Sequence, residues 1–196
     1  SSLIIKGLKR LEYRGYDSAG LCLETDGSNF EILKSSNSNY PVDVLSKSLE
    51  KSKISSNAGI GHTRWATHGP INNINTHPHF SYSKNISIVH NGIVENYDFL
   101  SKFLIRKGVN IFSQTDSELI AHLVDLMLCS EGNLQSAIFS VSNMLEGSNT
   151  VALMSKEIPQ TVFGFTTNSS GGLVVGEKDN YRFLSLSLIH ISEPTR

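Results

Sequence analysis

Four polar clusters in this chain carry side chains suited to chemistry. They are Tyr13-Arg14-Gly15-Tyr16-Asp17-Ser18-Ala19-Gly20; His62-Thr63-Arg64-Trp65-Ala66-Thr67-His68-Gly69 with Asn75-Thr76-His77-Pro78-His79 behind it; Val89-His90-Asn91-Gly92-Ile93-Val94-Glu95-Asn96; and Ser113-Gln114-Thr115-Asp116. Arg64 brings a planar fork matched to a carboxylate, and Asp116 an anion matched to an ammonium. One of each, facing a common pocket, would clamp the two charges of an α-amino acid. Asn91-Gly92 offers a side-chain amide and an unhindered backbone N–H, the parts of an oxyanion hole. A nucleophile is what these clusters lack. Cys22 falls inside an alternating apolar run, the place of a small buried hydrophobe. Cys129 closes a helical pattern, where the negative end of the dipole works against a thiolate.

Each feature also has a plainer account. Taken singly, Arg64 and Asp116 read as solvated charges, and Asn91-Gly92 reads as a tight turn. Trp65 reads as a packed aromatic and Arg14 as a brace for Asp17. His62, His68, His77, His79 and His90 raise the question of zinc. Their spacing gives no helical His-x-x-x-His pair, and His-Pro-His bends the chain between its imidazoles. The pattern points to hydrogen-bonded histidines rather than a metal site, and no cofactor is expected.

The elements that must hold these clusters follow from periodicity. Ile4, Leu8 and Leu11 repeat at helical spacing, then Ala19, Leu21 and Leu23 alternate as a strand. Asp26-Gly27 turns the chain into a second strand through Phe30 and Ile32. Val42, Leu45 and Leu49 mark a helix that starts near Pro41, a residue tolerated in a first turn. Ala58, Ile60 and His62 alternate before a long loop from Arg64 to about Phe80. Ile86, Ile88 and His90 form the next strand, which ends at Asn91-Gly92. Leu100, Phe103 and Leu104 give a helix closed by Gly108. A short strand is expected near Ile111, a turn over Ser113 to Asp116, and helices through Leu119–Met127 and Leu134–Val141. Val151–Met154, Val162–Phe165, Leu173–Val175 and Tyr181–Leu184 read as short strands. Strands at both ends with helices between predict an α+β fold, two sheets with helices packed outside.

Composition narrows the field. The chain has 196 residues, 39% hydrophobic and 18% charged, ordinary for a packed domain. Lys+Arg 17 against Asp+Glu 18 leaves a net charge of -1, which gives no reason to expect nucleic acid or a membrane surface as partner. No apolar run approaches membrane-spanning length. The cysteine count is 2, too few for a disulfide framework, so a cytoplasmic setting is expected.

The clusters Tyr13–Gly20, His62–Gly69, Asn75–His79 and His90–Asn96, with Ser113–Leu123, resemble the glutaminase domain of amidotransferases of the glucosamine-6-phosphate synthase type. The likeness runs from about Leu3 to Ser185. It implies residues 1–185 as a class II glutamine amidotransferase domain, truncated at both ends, and 186–196 as a tail that does not match. The fold it implies is the four-layer α/β/β/α sandwich of the N-terminal nucleophile hydrolases. By resemblance Arg64 binds the glutamine α-carboxylate, helped by Thr67 and His68, and Asp116 holds the α-ammonium. Asn91 and Gly92 form the oxyanion hole, Trp65 belongs to a loop closing over glutamine, and Arg14 lines the site. The family's nucleophile is an N-terminal cysteine on a strand that would lie upstream of Ser1, and Ser1 takes the place of a helix residue. This chain by itself is therefore expected to be inactive. The resemblance also implies fructose 6-phosphate as ammonia acceptor on an absent isomerase half, and a homo-oligomer formed through that half. Asn168–Leu173 departs from the family, which usually carries an Arg and a Ser-Pro-Leu there. The alternatives are a glutamine-binding module without turnover, another class II amidotransferase domain, or a metal-dependent hydrolase built on the histidines.

Overall fold

Three apolar clusters, each between two adjacent layers, account for the path of the chain in the computed structural model. The structure describes residues 2–15, 17–36, 38–65, 69–168 and 172–186, with the Arg14 side chain outside that description. The first sheet has the order β2-β1-β3, from β1 (Ser18–Thr25), β2 (Asn29–Ser36) and β3 (Gly59–Arg64). The second has the order β4-β5-β6-β7, from β4 (His79–Phe80), β5 (Ile86–Gly92), β6 (Asn149–Ser155) and β7 (Ile158–Thr167). All neighbours in both sheets are antiparallel.

Successive side chains of a strand point to opposite faces, and these strands use both faces. Ala19, Leu21 and Leu23 meet helices α1 (Ser2–Leu11) and α2 (Pro41–Ser52) in one cluster with Ile5, Leu8, Val42 and Leu45. The β3 glycines let α1 come close, because a Cβ on Gly61 would meet the Ile4 side chain at 2.7 Å. From the opposite faces, Cys22 and Ile60 meet Val89, Ala152 and Met154 of the second sheet in a middle cluster. Ile86, Ile88, Val151 and Leu153 turn the other way, onto helices α3 (Tyr97–Arg106), α4 (Ser117–Glu131) and α5 (Leu134–Met144). The layers are therefore α/β/β/α. A fully buried leucine such as Leu153 contributes about 1.5–3 kcal/mol through removal from water.

The alternation and helical spacing read from the sequence recur here, with three differences, the first being that the loop expected to run to about Phe80 ends in the short strand β4. No strand forms at Ile111, because the next two backbone N–H groups, of Phe112 and Ser113, donate to the Glu118 carboxylate instead of to a neighbouring strand. A third, two-stranded ribbon is also present, β8 (Val174–Lys178) paired with β9 (Tyr181–Ser185). It packs beside Gly164, where a Cβ would meet Leu184 at 2.6 Å, and Leu184 caps the edge of the middle cluster.

Candidate active site

The site forms where β3 and β5 end and α4 begins. Parity along the strands decides which side chains face it. Ile60 belongs to the middle layer, so His62 and Arg64, two and four residues on, look across at the second sheet. Val89 belongs to the same layer, so Asn91 looks back. The His62 ring meets Asn91 directly, with Nε2 2.8 Å from Oδ1. The amide oxygen is an acceptor, so His62 carries its proton on Nε2 and donates. The other end of the amide then points outward, and Nδ2 donates to the Leu186 carbonyl at 3.4 Å. Gly92 follows with φ +139°, and a Cβ there would sit 2.2 Å from the Ser148 carbonyl oxygen of the adjoining strand end. Only glycine passes that point. Asn91-Gly92 is thus the exposed end of a strand and not a hairpin turn.

His90 has the opposite parity and points into the helical layer. Its Nε2–H donates to Asn149 Oδ1 at 2.9 Å, and its Nδ1 lies 2.9 Å from the Ser117 hydroxyl. It ties β5, β6 and the first turn of α4 together. Asp116 stands just before that helix and is partly buried. Its Oδ2 accepts the Val94 N–H at 2.8 Å, and its Oδ1 lies 3.3 Å from the Ser117 hydroxyl oxygen. The turn that presents Asp116 is held from behind by Glu118, which takes the N–H groups of Phe112 and Ser113 and contacts His122 Nε2 at 3.1 Å. Burial would raise the Glu118 carboxyl, but these hydrogen bonds outweigh it and hold it at about 2.

Arg64 is buried, 6% exposed, at the end of β3. Burial lowers its pKa, while the carboxylates of Asp17 and Asp116 act in the opposite direction. The Arg64 backbone carbonyl receives the Asp17 N–H at 3.2 Å, which brings the Tyr13–Gly20 cluster to this edge. The loop after Arg64 is pinned at its far part. Asn75 exchanges hydrogen bonds with Gln114 at 3.2 and 2.9 Å, and His79 Nε2 lies 3.1 Å from Thr115 Oγ1. Gly20 allows this loop to settle on the first sheet, since a Cβ there would meet the His77 carbonyl oxygen at 2.1 Å.

Histidines line the floor. The rings of His62 and His77 stack at 4.3 Å, and His79 meets His77 edge-on at 4.8 Å. His77 Nδ1 accepts the His90 backbone N–H at 3.4 Å. Burial pushes all of them down, His62 to about 4, His79 to about 3, His77 well below its ordinary range, and His90 in the same direction. They stand neutral at pH 7. Among the described residues no group of three or more His, Cys, Asp and Glu side chains is arranged to hold a metal ion.

Arg64, Asn91, Gly92 and Asp116 therefore come from three separate elements to one edge of the two sheets. Trp65, next to Arg64, is exposed. Thr67 and His68 lie outside the described residues, as does the Arg14 side chain at the end of the short turn Glu12–Arg14. Cys22 is fully buried in the middle layer with its thiol pushed up to about 12, and Cys129 is exposed on the last turn of α4. Sequence reasoning expected hydrogen-bonded histidines but not the particular partners of His62 and His90, and it did not find the supporting roles of Asn149 and Glu118. The period of two could have separated His90 from Asn91, since adjacent strand residues cannot face the same layer.

The four layers with this site at the sheet ends define an N-terminal nucleophile hydrolase fold of the amidotransferase kind. The chain belongs to the glutamine amidotransferase domain family, whose signature matches residues 62–183. It is 41% identical over 196 residues to the glutamine–fructose-6-phosphate aminotransferase (isomerizing) of Clostridium acetobutylicum, and 39% identical over 198 residues to that of Tropheryma whipplei. These alignments take in 100% of this chain and 31% of each relative, so the chain spans about a third of their length. Among solved structures, the glutamine phosphoribosylpyrophosphate amidotransferase of B. subtilis superposes with a TM-score of 0.75 at 24% identity, covering 93% of this chain and 38% of that one. That likeness is one of fold. Among the described residues no helix is long and apolar enough to cross a membrane.

Proposed function

We propose that this chain is the part of a longer enzyme that binds L-glutamine and hydrolyses its side-chain amide to glutamate and ammonia. The observation that carries the reading is the convergence of Arg64, Asp116 and Asn91-Gly92 at one edge of two stacked sheets. Arg64 supplies charge for the α-carboxylate and Asp116 for the α-ammonium, and the family resemblance assigns Thr67, His68, Trp65 and Arg14 to glutamine binding as well. Asn91 Nδ2 and the Gly92 N–H receive the oxyanion that develops when a thiolate adds to the amide carbon. Collapse of that adduct releases ammonia and leaves a thioester, which water cleaves to glutamate. Neither Cys22 nor Cys129 supplies the thiolate, given their positions. On the same reading ammonia passes to fructose 6-phosphate bound elsewhere in the longer protein, which works in the cytoplasm as a homo-oligomer. The placement of both thiols away from the site also fits a glutamine-binding module without turnover.

Glutamate release from L-glutamine by the full-length protein separates the two. Turnover that falls by about 10²–10³-fold in Asn91→Ala supports hydrolysis with Asn91 as oxyanion donor. Saturable glutamine binding with no glutamate formed would leave the binding module as the correct reading.

A further inference from the structure

We infer that His62 is a positioning residue for the oxyanion donor: its Nε2–H fixes the Asn91 carboxamide so that the amide N–H₂ faces the substrate. The inference rests on the reading of Asn91 as that donor. A primary amide on a strand end has two orientations that differ by a flip, and only one of them presents a donor outward. The 2.8 Å contact from His62 Nε2 to Asn91 Oδ1 selects it. Two further observations agree. The Leu186 carbonyl oxygen at 3.4 Å from Nδ2 accepts only from an N–H, so the outward end is the donor. His62 Nδ1 is buried with no hydrogen-bond partner among the described residues, as suits the bare nitrogen of an imidazole protonated on Nε2.

The scaffold keeps the ring in this pose. His62 stacks on His77 at 4.3 Å, and His77 is itself anchored by the His90 backbone N–H. His90, one residue before Asn91, is in turn held by Asn149 and Ser117. Titratable and charged groups facing His62 from the packed elements are His77, His90 and Arg64, and none is an anion that would favour the imidazolium. The donor thus remains the neutral tautomer across the physiological range. A preorganised donor incurs no reorientation when charge appears on the substrate oxygen, which is where oxyanion stabilisation gains its effect. His62 touches neither substrate nor the reacting atoms in this account and acts through Asn91.

A double-mutant cycle in the full-length protein tests this. His62→Leu fills the ring's space but removes the N–H, and His62→Gln keeps an N–H within reach of Asn91 Oδ1. His62→Leu should lower glutaminase kcat by roughly 10- to 100-fold with KM changed less than about two-fold, because binding of the ground state does not use the oxyanion donor. His62→Gln should restore most of that loss. In the Asn91→Ala background, His62→Leu should cost little more, since its only route of action is already gone. The same fold loss in both backgrounds, or a His62→Gln enzyme as impaired as His62→Leu, would overturn the inference. Melting temperatures within a few degrees of the parent confirm that all variants are folded. Unchanged turnover in Asn91→Ala alone would instead refute the oxyanion reading, and this inference with it.

Discussion

Asp116 does two things in this structure, and Asp116→Asn pulls them apart. Its Oδ2 accepts the buried Val94 N–H at 2.8 Å, which fixes the chain just beyond Gly92, and its charge acts on Arg64. An asparagine oxygen still accepts from Val94, so the fold should weaken by only about 1 kcal/mol as a charge-assisted bond becomes a neutral one. The ammonium of glutamine loses its anionic partner altogether. A charge-assisted contact is worth about 1.5–3 kcal/mol, so glutamine should bind about ten- to a hundred-fold more weakly. Titration calorimetry of the full-length protein measures this, with 4-carbamoylbutanoate as the control ligand. That compound keeps the carboxylate and the amide but has no α-amine. Its affinity should hold or rise slightly, because removing Asp116's charge takes away one carboxylate that acts on Arg64. Equal weakening for both ligands would show that Asp116 acts by holding Val94. Unaltered glutamine affinity would show that the ammonium sits elsewhere.

Two other outcomes are expected. Gly92→Ala drives a Cβ to 2.2 Å from the Ser148 carbonyl oxygen at φ +139°, so a loss of about 2–4 kcal/mol and of most turnover is expected, with calorimetric melting and glutamate release as the measurements. The floor histidines give the pH dependence. His62, His77 and His79 have folded pKa values below the unfolded one near 6.5, so the unfolded chain binds more protons as pH falls beneath it. Stability should therefore be full above about pH 7 and drop towards pH 5, each histidine adding a slope of up to about 1.4 kcal/mol per unit. This window lies above the one where Glu118 would begin to protonate in the unfolded state. Urea midpoints at pH 7, 6 and 5 measure it, and a constant midpoint would contradict neutral burial.

Local pattern in the sequence carried most of the elements, because the central strands β1, β5 and β6 are apolar on both faces and helices such as α1 and α2 bury a single stripe. Leu21, Cys22 and Leu23 show how far that goes: alternation predicts the strand, and the layers then assign Leu21 and Leu23 to the helices and Cys22 to the middle. It failed at Ile111, where an apolar side chain sits in a segment whose backbone is captured by Glu118, a residue several positions later. The chemistry of Arg64 and Asp116 was legible from side-chain type. The contact of His62 with Asn91 was not, since it crosses between sheets and depends on which strand ends are stacked. Asn149, far along the chain, meets His90 only because β6 pairs with β5 in that register.

The edge where glutamine is proposed to sit is shared by two sheets that, among the described residues, have no backbone hydrogen bonds between them. Arg64 rides on one and Asn91 on the other, so nothing in either ladder sets the distance between clamp and oxyanion donor. That distance is set by the thickness of the apolar layer of Cys22, Ile60, Val89, Ala152 and Met154, flanked by Phe30 and Phe80, which acts as a shim. Small side chains in the shim let the sheets close, and His62 reaches across because they do. Widening the shim by a methyl or two, well away from any polar group, would open the jaws of the site as a hinge opens when its pin is made thicker. Enlarging residues of that layer, none of which is assigned to the substrate, is therefore expected to widen the proposed site without altering its polar residues.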